Sequence, residues 1–174
     1  MLDGGPDPMA KWTAAPDWGA ARLSRPGWTA TPVSGLFQTL LSGDLDAAFA
    51  SFEPRPASVG LWEIASPSRA AIRIARDRAL LVSAERVALT AGWRAGGWAV
   101  SDASDAWLVI DIVGKQAATL VAGAANADLG AASPSASILF AGVPALFYRL
   151  SPDQARLHVE ASLAPYVWRW LEMS

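Results

Sequence analysis

The stretch that most limits how this chain can fold is Trp107–Val113, read as WLVIDIV. All of its residues but Asp111 are apolar, and four are β-branched. It is too short for a bilayer span and follows a Ser/Asp-rich loop, so it reads as a buried strand. Gly114 closes it, a short helix is expected over Lys115–Ala122, and Gly123 ends that helix. The unit Val100–Asp128 is therefore loop, strand, glycine turn and helix, and the rest of the chain is organised around it. Nothing in it is a chemical signature. Asp111 is the residue to inspect first. It faces solvent, faces a partner, or is buried beside a donor, because an unpaired buried carboxylate is expensive.

Length and charge narrow the class. At 174 residues one compact domain is expected, with two small lobes as the alternative. The 14 basic and 16 acidic residues leave a net charge of -2, which argues against nucleic acid or an anionic membrane as partner. Nine tryptophans are many for a core of this size. They point either to a subunit with a buried protein interface or to indoles that fill the core, and composition does not separate the two. Cysteine is absent, which removes disulfides, thiolate nucleophiles and Cys-type metal sites. The opening MLDGGPDPMAKW has no charged-then-apolar pattern, and no apolar run is long enough to span a bilayer, so a cytoplasmic, bacterial-type protein is expected.

Taken in order, residues 1–31 read as an irregular arm punctuated by Pro6, Pro8, Pro16 and Pro26. Trp12, Trp18 and Trp28 in it argue for an arm lying on the body or on a partner rather than a free tail. Residues 32–174 read as one α+β domain of two halves, about 33–100 and 101–174. In the first half a strand is expected at Leu36–Leu41. Asp44 then caps a helix whose apolar face is Leu45, Ala48, Phe49 and Phe52, stopped by Pro54 and Pro56. A strand at Val59–Ile64 and a hairpin of Ala70–Ala75 with Leu80–Val82 follow. Ser83 and Glu85 suggest a further helix with Val87, Ala88 and Ala91 inward, ending near Gly92, and Gly96-Gly97 breaks the chain again. In the second half strands are expected at Ile138–Phe140, Ala145–Leu150 and Ala155–Val159. A closing helix runs from Ser162 to about Glu172, with Leu163, Tyr166, Val167 and Trp170 on its apolar face. The element order suggests a loose internal duplication.

Chemistry is sparse. The single histidine, His158, sits in an expected strand and reads as a satisfied structural residue, and no GxSxG elbow supports a triad. Gly114-Lys115 before a helix could meet an anion, but one glycine without the rest of a phosphate motif reads as a plain turn. Asp102, Asp105 and Asp111 are the weak candidates for cofactor contact or acid–base work, against turn formation and capping as the ordinary use of such residues. No residue is assigned a catalytic or metal-binding role.

Several segments resemble the gamma subunit of heterotetrameric sarcosine oxidase. VSDASDAWLVIDIVGKQAATLVAG is similar to that family's aspartate loop, strand, glycine and helix, with Asp102, Ser104, Asp105, Gly114, Ala117 and Leu120 in matching places. RLHVEASLAPYVWRWLE resembles its ending, through Ser162, Tyr166, Trp168, Trp170 and Leu171. ILFAGVPALFYRL, IRIARDRALLVSA and LFQTLLSGDLDAAFA resemble the intervening strands, hairpin and first helix. The hairpin turn departs from the family's tract, with Ala75-Arg76-Asp77-Arg78-Ala79 in its place. The resemblance implies the folate-binding-domain fold of the aminomethyltransferase superfamily, duplicated and intertwined β–α–β units. It implies a non-catalytic structural subunit that packs on a larger alpha-type subunit. FAD, FMN, NAD and tetrahydrofolate would then sit on the other subunits, with no cofactor bound by this chain. Trp12, Trp18, Trp28, Trp93, Trp98 and Trp168 are the expected partner contacts, and the isolated chain could form a homo-oligomer. The alternative is a free-standing small-molecule binder of folate type on the same superfold; an enzyme using the aspartates has the least support.

Overall fold

The computed structural model describes residues 15–125, 127–131 and 133–174. Trp12 lies outside the described residues. The chain opens with a hairpin, β1 (Leu23–Arg25) and β2 (Trp28–Val33), then β3 (Phe37–Gly43), α1 (Leu45–Ala50), β4 (Ser58–Val59), β5 (Arg69–Ala75), β6 (Arg78–Ser83), β7 (Gly92–Arg94) and β8 (Trp98–Asp102). The second half adds β9 (Trp107–Val113), α2 (Ala117–Ala125), β10 (Ser137–Phe140), β11 (Val143–Ser151), β12 (Gln154–Glu160) and α3 (Ala164–Met173). The strands form two mostly antiparallel six-stranded sheets. Sheet I is ordered β4-β5-β6-β3-β8-β7, and sheet II β10-β11-β12-β9-β2-β1.

The two orders match position by position. In each sheet a central strand, β3 or β9, is followed by a helix, a short edge strand, and a hairpin whose second strand returns to pair with the central one. The other flank of each central strand is filled by a hairpin, β7–β8 on β3 and β1–β2 on β9. Each of those hairpins lies in sequence just before the central strand of the opposite sheet.

Helices cover the outer faces. Ile110, Ile112, Phe147, Leu157 and Val159 of sheet II pack with Val121 of α2 and Val167 and Leu171 of α3. On sheet I, Leu41, Leu81, Trp98 and Val100 pack with Leu45 and Phe49 of α1. Between the sheets lie Ile72, Leu80, Val82, Leu146 and Tyr148. As expected, the Asp44 carboxylate accepts from the Ala47 amide and starts α1.

Three expectations are corrected. Residues 23–33 are not an irregular arm but a hairpin of sheet II. Pro26-Gly27 is its two-residue turn, with Gly27 at φ 86, as a turn of this kind requires at its second position. Pro32 is tolerated because β1 extends only as far as Ala30, so no neighbour on that side needs its missing N–H. Residues 84–91 form no helix, since the Ser83 hydroxyl donates to the Glu85 carbonyl rather than capping. The Gly96-Gly97 break is the turn between β7 and β8, with Gly97 at φ 80. The strand expected at Val59–Ile64 is reduced to Ser58–Val59 before the chain turns at Trp62, φ 62.

Candidate functional site

Polar chemistry concentrates in the space between the sheets. Strand β12 alternates: Ala155, Leu157 and Val159 face the helices, which leaves Arg156 and His158 toward sheet I. His158 is fully buried. Its Nδ1 lies 2.7 Å from Gln38 Oε1 on β3, and its Nε2 lies 2.9 Å from the Tyr148 hydroxyl on β11. The Gln38 Nε2 donates to the carbonyls of Ser104 and Trp107, so Oε1 must be the acceptor toward His158. Nδ1 therefore carries the proton, and Nε2 accepts from Tyr148. Both ring nitrogens are used with the imidazole neutral. Burial, with a smaller push from the Arg156 charge, brings the His158 pKa down to about 3.

Asp111, on β9 directly opposite Arg156 on β12, is the anionic half of a buried fork. Arg156 Nε and Nη2 donate to its two oxygens at 2.6 and 2.9 Å, and Gln154 Nε2 donates to the second at 3.0 Å. Of the three orientations open to Asp111 from sequence, burial beside a donor is the one found. Burial opposes the Arg156 charge, and the hydrogen bonds and charge of Asp111 outweigh it, leaving the guanidinium pKa raised. Burial holds the Tyr148 hydroxyl well above the ordinary phenol range, partly offset by Arg156. No buried side-chain nitrogen or oxygen among the described residues lacks a partner. The seam ties the sheets together, and its imidazole, phenol and carboxylate are all bonded to other groups of the protein.

Asp102 and Asp105 lie elsewhere. Asp102 ends β8, with its side chain exposed, and accepts from the Ser104 amide and hydroxyl at 3.0 and 2.7 Å. Those bonds hold its carboxyl below the usual carboxylate range, with Arg86 adding a little. It is the turn-forming use that Ser/Asp runs ordinarily have. Asp102, Arg86, Ser104 and Phe37 border a surface hollow of about 200 Å3. Arg86 crosses it, 5.1 Å from the Phe37 ring and 3.8 Å from Asp102. Asp105 is exposed in the loop before β9. The three aspartates do not converge: Asp111 is locked in the seam of sheet II, and Asp102 sits at the end of a sheet I strand. Among the described residues no group of three His, Cys, Asp or Glu side chains is placed to hold a metal. Sequence reasoning missed Gln38, Tyr148 and Arg156. The available signal was the alternation in β12, which puts Arg156 and His158 on one face of an otherwise apolar strand.

Gly114 is a packing glycine. A Cβ there would fall 2.2 Å from the Gly27 carbonyl oxygen, and its φ is 141. Its amide donates to Asp153 and that of Gln116 to Gly27, so these amides are not free for an anion.

The expected partner contacts separate by burial. Trp28, Trp98 and Trp168 are core residues at 7%, 5% and 3% exposure, which corrects their assignment to an interface. Trp18 is half-buried and meets Trp168 edge-on, with ring centroids 5.8 Å apart. Trp93 on β7 is 70% exposed.

No family model matches the chain, and no curated protein matches it by sequence. Among solved structures, it is similar to a chain of heterotetrameric sarcosine oxidase from Corynebacterium sp. U-96, in complex with pyrrole 2-carboxylate. The TM-score is 0.68 at 22% identity, over 83% of this chain and 81% of that one. Nearly equal shares mean that the two chains are of nearly equal length. The fold is thus that of a sarcosine oxidase subunit, and among the described residues no helix is long and apolar enough to cross a membrane.

Proposed function

We propose that this chain is the small, non-catalytic subunit of a heteromeric, sarcosine-oxidase-like flavoenzyme complex, of gamma type, packing on a larger alpha-type subunit in the bacterial cytoplasm. The carrying observation is the similarity, over 83% of this chain and 81% of that one, to a chain of a heterotetrameric enzyme. The polar seam supports it: its buried titratable groups are bonded to one another and to Gln38 and Gln154. The matched strand orders support reading the fold as two interlocked copies of one β–α–β unit that exchange hairpins. On this reading FAD, FMN, NAD and tetrahydrofolate belong to the other subunits.

Co-expression with the large flavoprotein subunits of a sarcosine-oxidase-like complex, followed by size-exclusion chromatography and native mass spectrometry, tests the reading. A stoichiometric complex whose flavin stays with the large chain is expected. A chain that remains free at every ratio overturns it. Binding of tetrahydrofolate by the isolated chain in calorimetry would favour the free-standing binder instead.

A further inference from the structure

Sheet edges carry unpaired N–H and C=O groups, and proteins normally blunt them with charge, proline, bulges or brevity. The two sheets have four edge strands. β4 is two residues long. β7 is three residues and carries Arg94 beside a glycine with φ 125. β1 carries Arg25, whose guanidinium donates to the Glu172 carbonyl at 2.7 Å and ties that edge to α3. β10, SILF, is one residue longer than β7 and β1 and has no charge, proline or bulge. It is uncharged and regular in its pairing, and its residues favour strands.

Hydrogen-bond parity says which way its backbone points. The Phe147 amide of β11 donates to the Ala136 carbonyl at 2.9 Å. Residues 136, 138 and 140 therefore face β11, and Ser137 and Leu139 turn their N–H and C=O outward. The Ser137 amide is taken by the Ser135 hydroxyl. Leu139 has no such partner among the described residues, and its side chain is 59% exposed, high for a large aliphatic residue in a six-stranded sheet. Beside it, between the sheets, opens a hollow of about 240 Å3, apolar at Leu40, Ile74, Trp107 and Leu146 and charged at Arg78 and Glu160.

We infer that the outer edge of β10 is where an extended segment of the partner protein adds to sheet II as a seventh strand, taking its register from the main-chain groups of Leu139 and resting a side chain in the adjoining hollow, against its apolar wall and between Arg78 and Glu160. The inference rests on the subunit reading above, which supplies the partner. The uncharged edge is what a strand-adding interface needs: an arginine or lysine there would be desolvated without a partner.

The test uses the full chain with the large alpha-type flavoprotein subunit of a sarcosine-oxidase-like complex. Leu139→Pro removes the outward N–H at a site whose facing residue, Pro144, makes no ladder bond; Leu139→Lys charges the edge. Each variant is first checked for an unchanged circular dichroism spectrum and melting temperature. The expected result is a complex weakened roughly tenfold or more by either variant, while Ser58→Lys on the edge strand β4 of the opposite sheet leaves it intact. Hydrogen exchange should show the Leu139 amide protected on partner addition. A complex that forms with that amide unprotected and unweakened by either variant overturns the edge and leaves the subunit reading standing. If no complex forms, both fail; self-association abolished by Leu139→Pro would then assign the edge to a second copy of this chain.

Discussion

Asp102 and Asp111 lie nine positions apart in one stretch, yet they sit in opposite electrostatic worlds. Asp102 stands at the end of an outer strand, in water, held by its own turn. Asp111 stands between two sheets, gripped by both arms of Arg156 and by Gln154. The first can be neutralised or lost with its solvent shell as substitute. The second cannot, because the guanidinium opposite it would be left buried with nothing to bond. A carboxylate's neighbours, rather than its place in a motif, decide what it is worth.

Breaking the buried side should have the largest effect. Asp111→Ala leaves Arg156 unpaired and should cost about 3–5 kcal/mol of unfolding free energy. For a chain of this size that is a melting temperature lower by on the order of 10 °C. Chemical denaturation of the variant reads it directly. Asp111→Leu combined with Arg156→Leu removes both charges and should recover most of the loss. If the double variant is as weak as the single one, the pair contributes through shape rather than through charge compensation.

The same seam should show itself in pH dependence. Folded His158 takes up a proton only near pH 3, whereas the unfolded chain protonates it near the ordinary histidine value of about 6.5. Between those values the unfolded state binds more protons. Stability from this group is therefore complete above about pH 6.5 and falls as pH drops toward 3, by ~1.4 kcal/mol per unit. At pH 5 the loss should be about 2 kcal/mol relative to pH 7. Denaturant midpoints across that range measure it, and His158→Gln, which keeps a donor and an acceptor without titrating, should flatten the slope. An unchanged slope in the variant would mean that His158 is charged in the folded protein.

These contrasts also show what the sequence could and could not disclose. The strand Trp107–Val113, the cap at Asp44, and the hairpin across Arg76-Asp77 were legible because each depends on neighbours in the chain. The aspartates were visible as residues but not as environments, since the partners of Asp111 lie 43 and 45 positions away and Gln38 lies 120 from His158. Residues 84–91 carried a helix's pattern, but the Ser83 hydroxyl is spent elsewhere, and local spacing could not reveal that. The indoles misled for a related reason. Trp28 and Trp98 begin strands whose hairpins cross to the opposite sheet, and burial of that kind is a property of topology, not of composition.

The smallest expected effect falls on the exposed side and sharpens the comparison most. Asp102→Asn keeps an oxygen to accept from the Ser104 amide and hydroxyl and removes only the charge. The weak contact with Arg86, 3.8 Å between two exposed side chains, is the kind of surface pair that contributes little. The melting temperature at neutral pH should therefore stay within error of wild type, and raising the salt concentration should not separate the two proteins. Ser104 is the one route by which a larger effect could arise, since its hydroxyl also receives the Gln38 amide that leads into the seam. Ser104→Ala removes that route and one of the two bonds to Asp102, while leaving the Asp102 charge and its bond from the Ser104 amide in place. If Asp102→Asn is destabilising and Ser104→Ala matches it, the exposed aspartate is a remote member of the buried network, and the division between the two carboxylates fails.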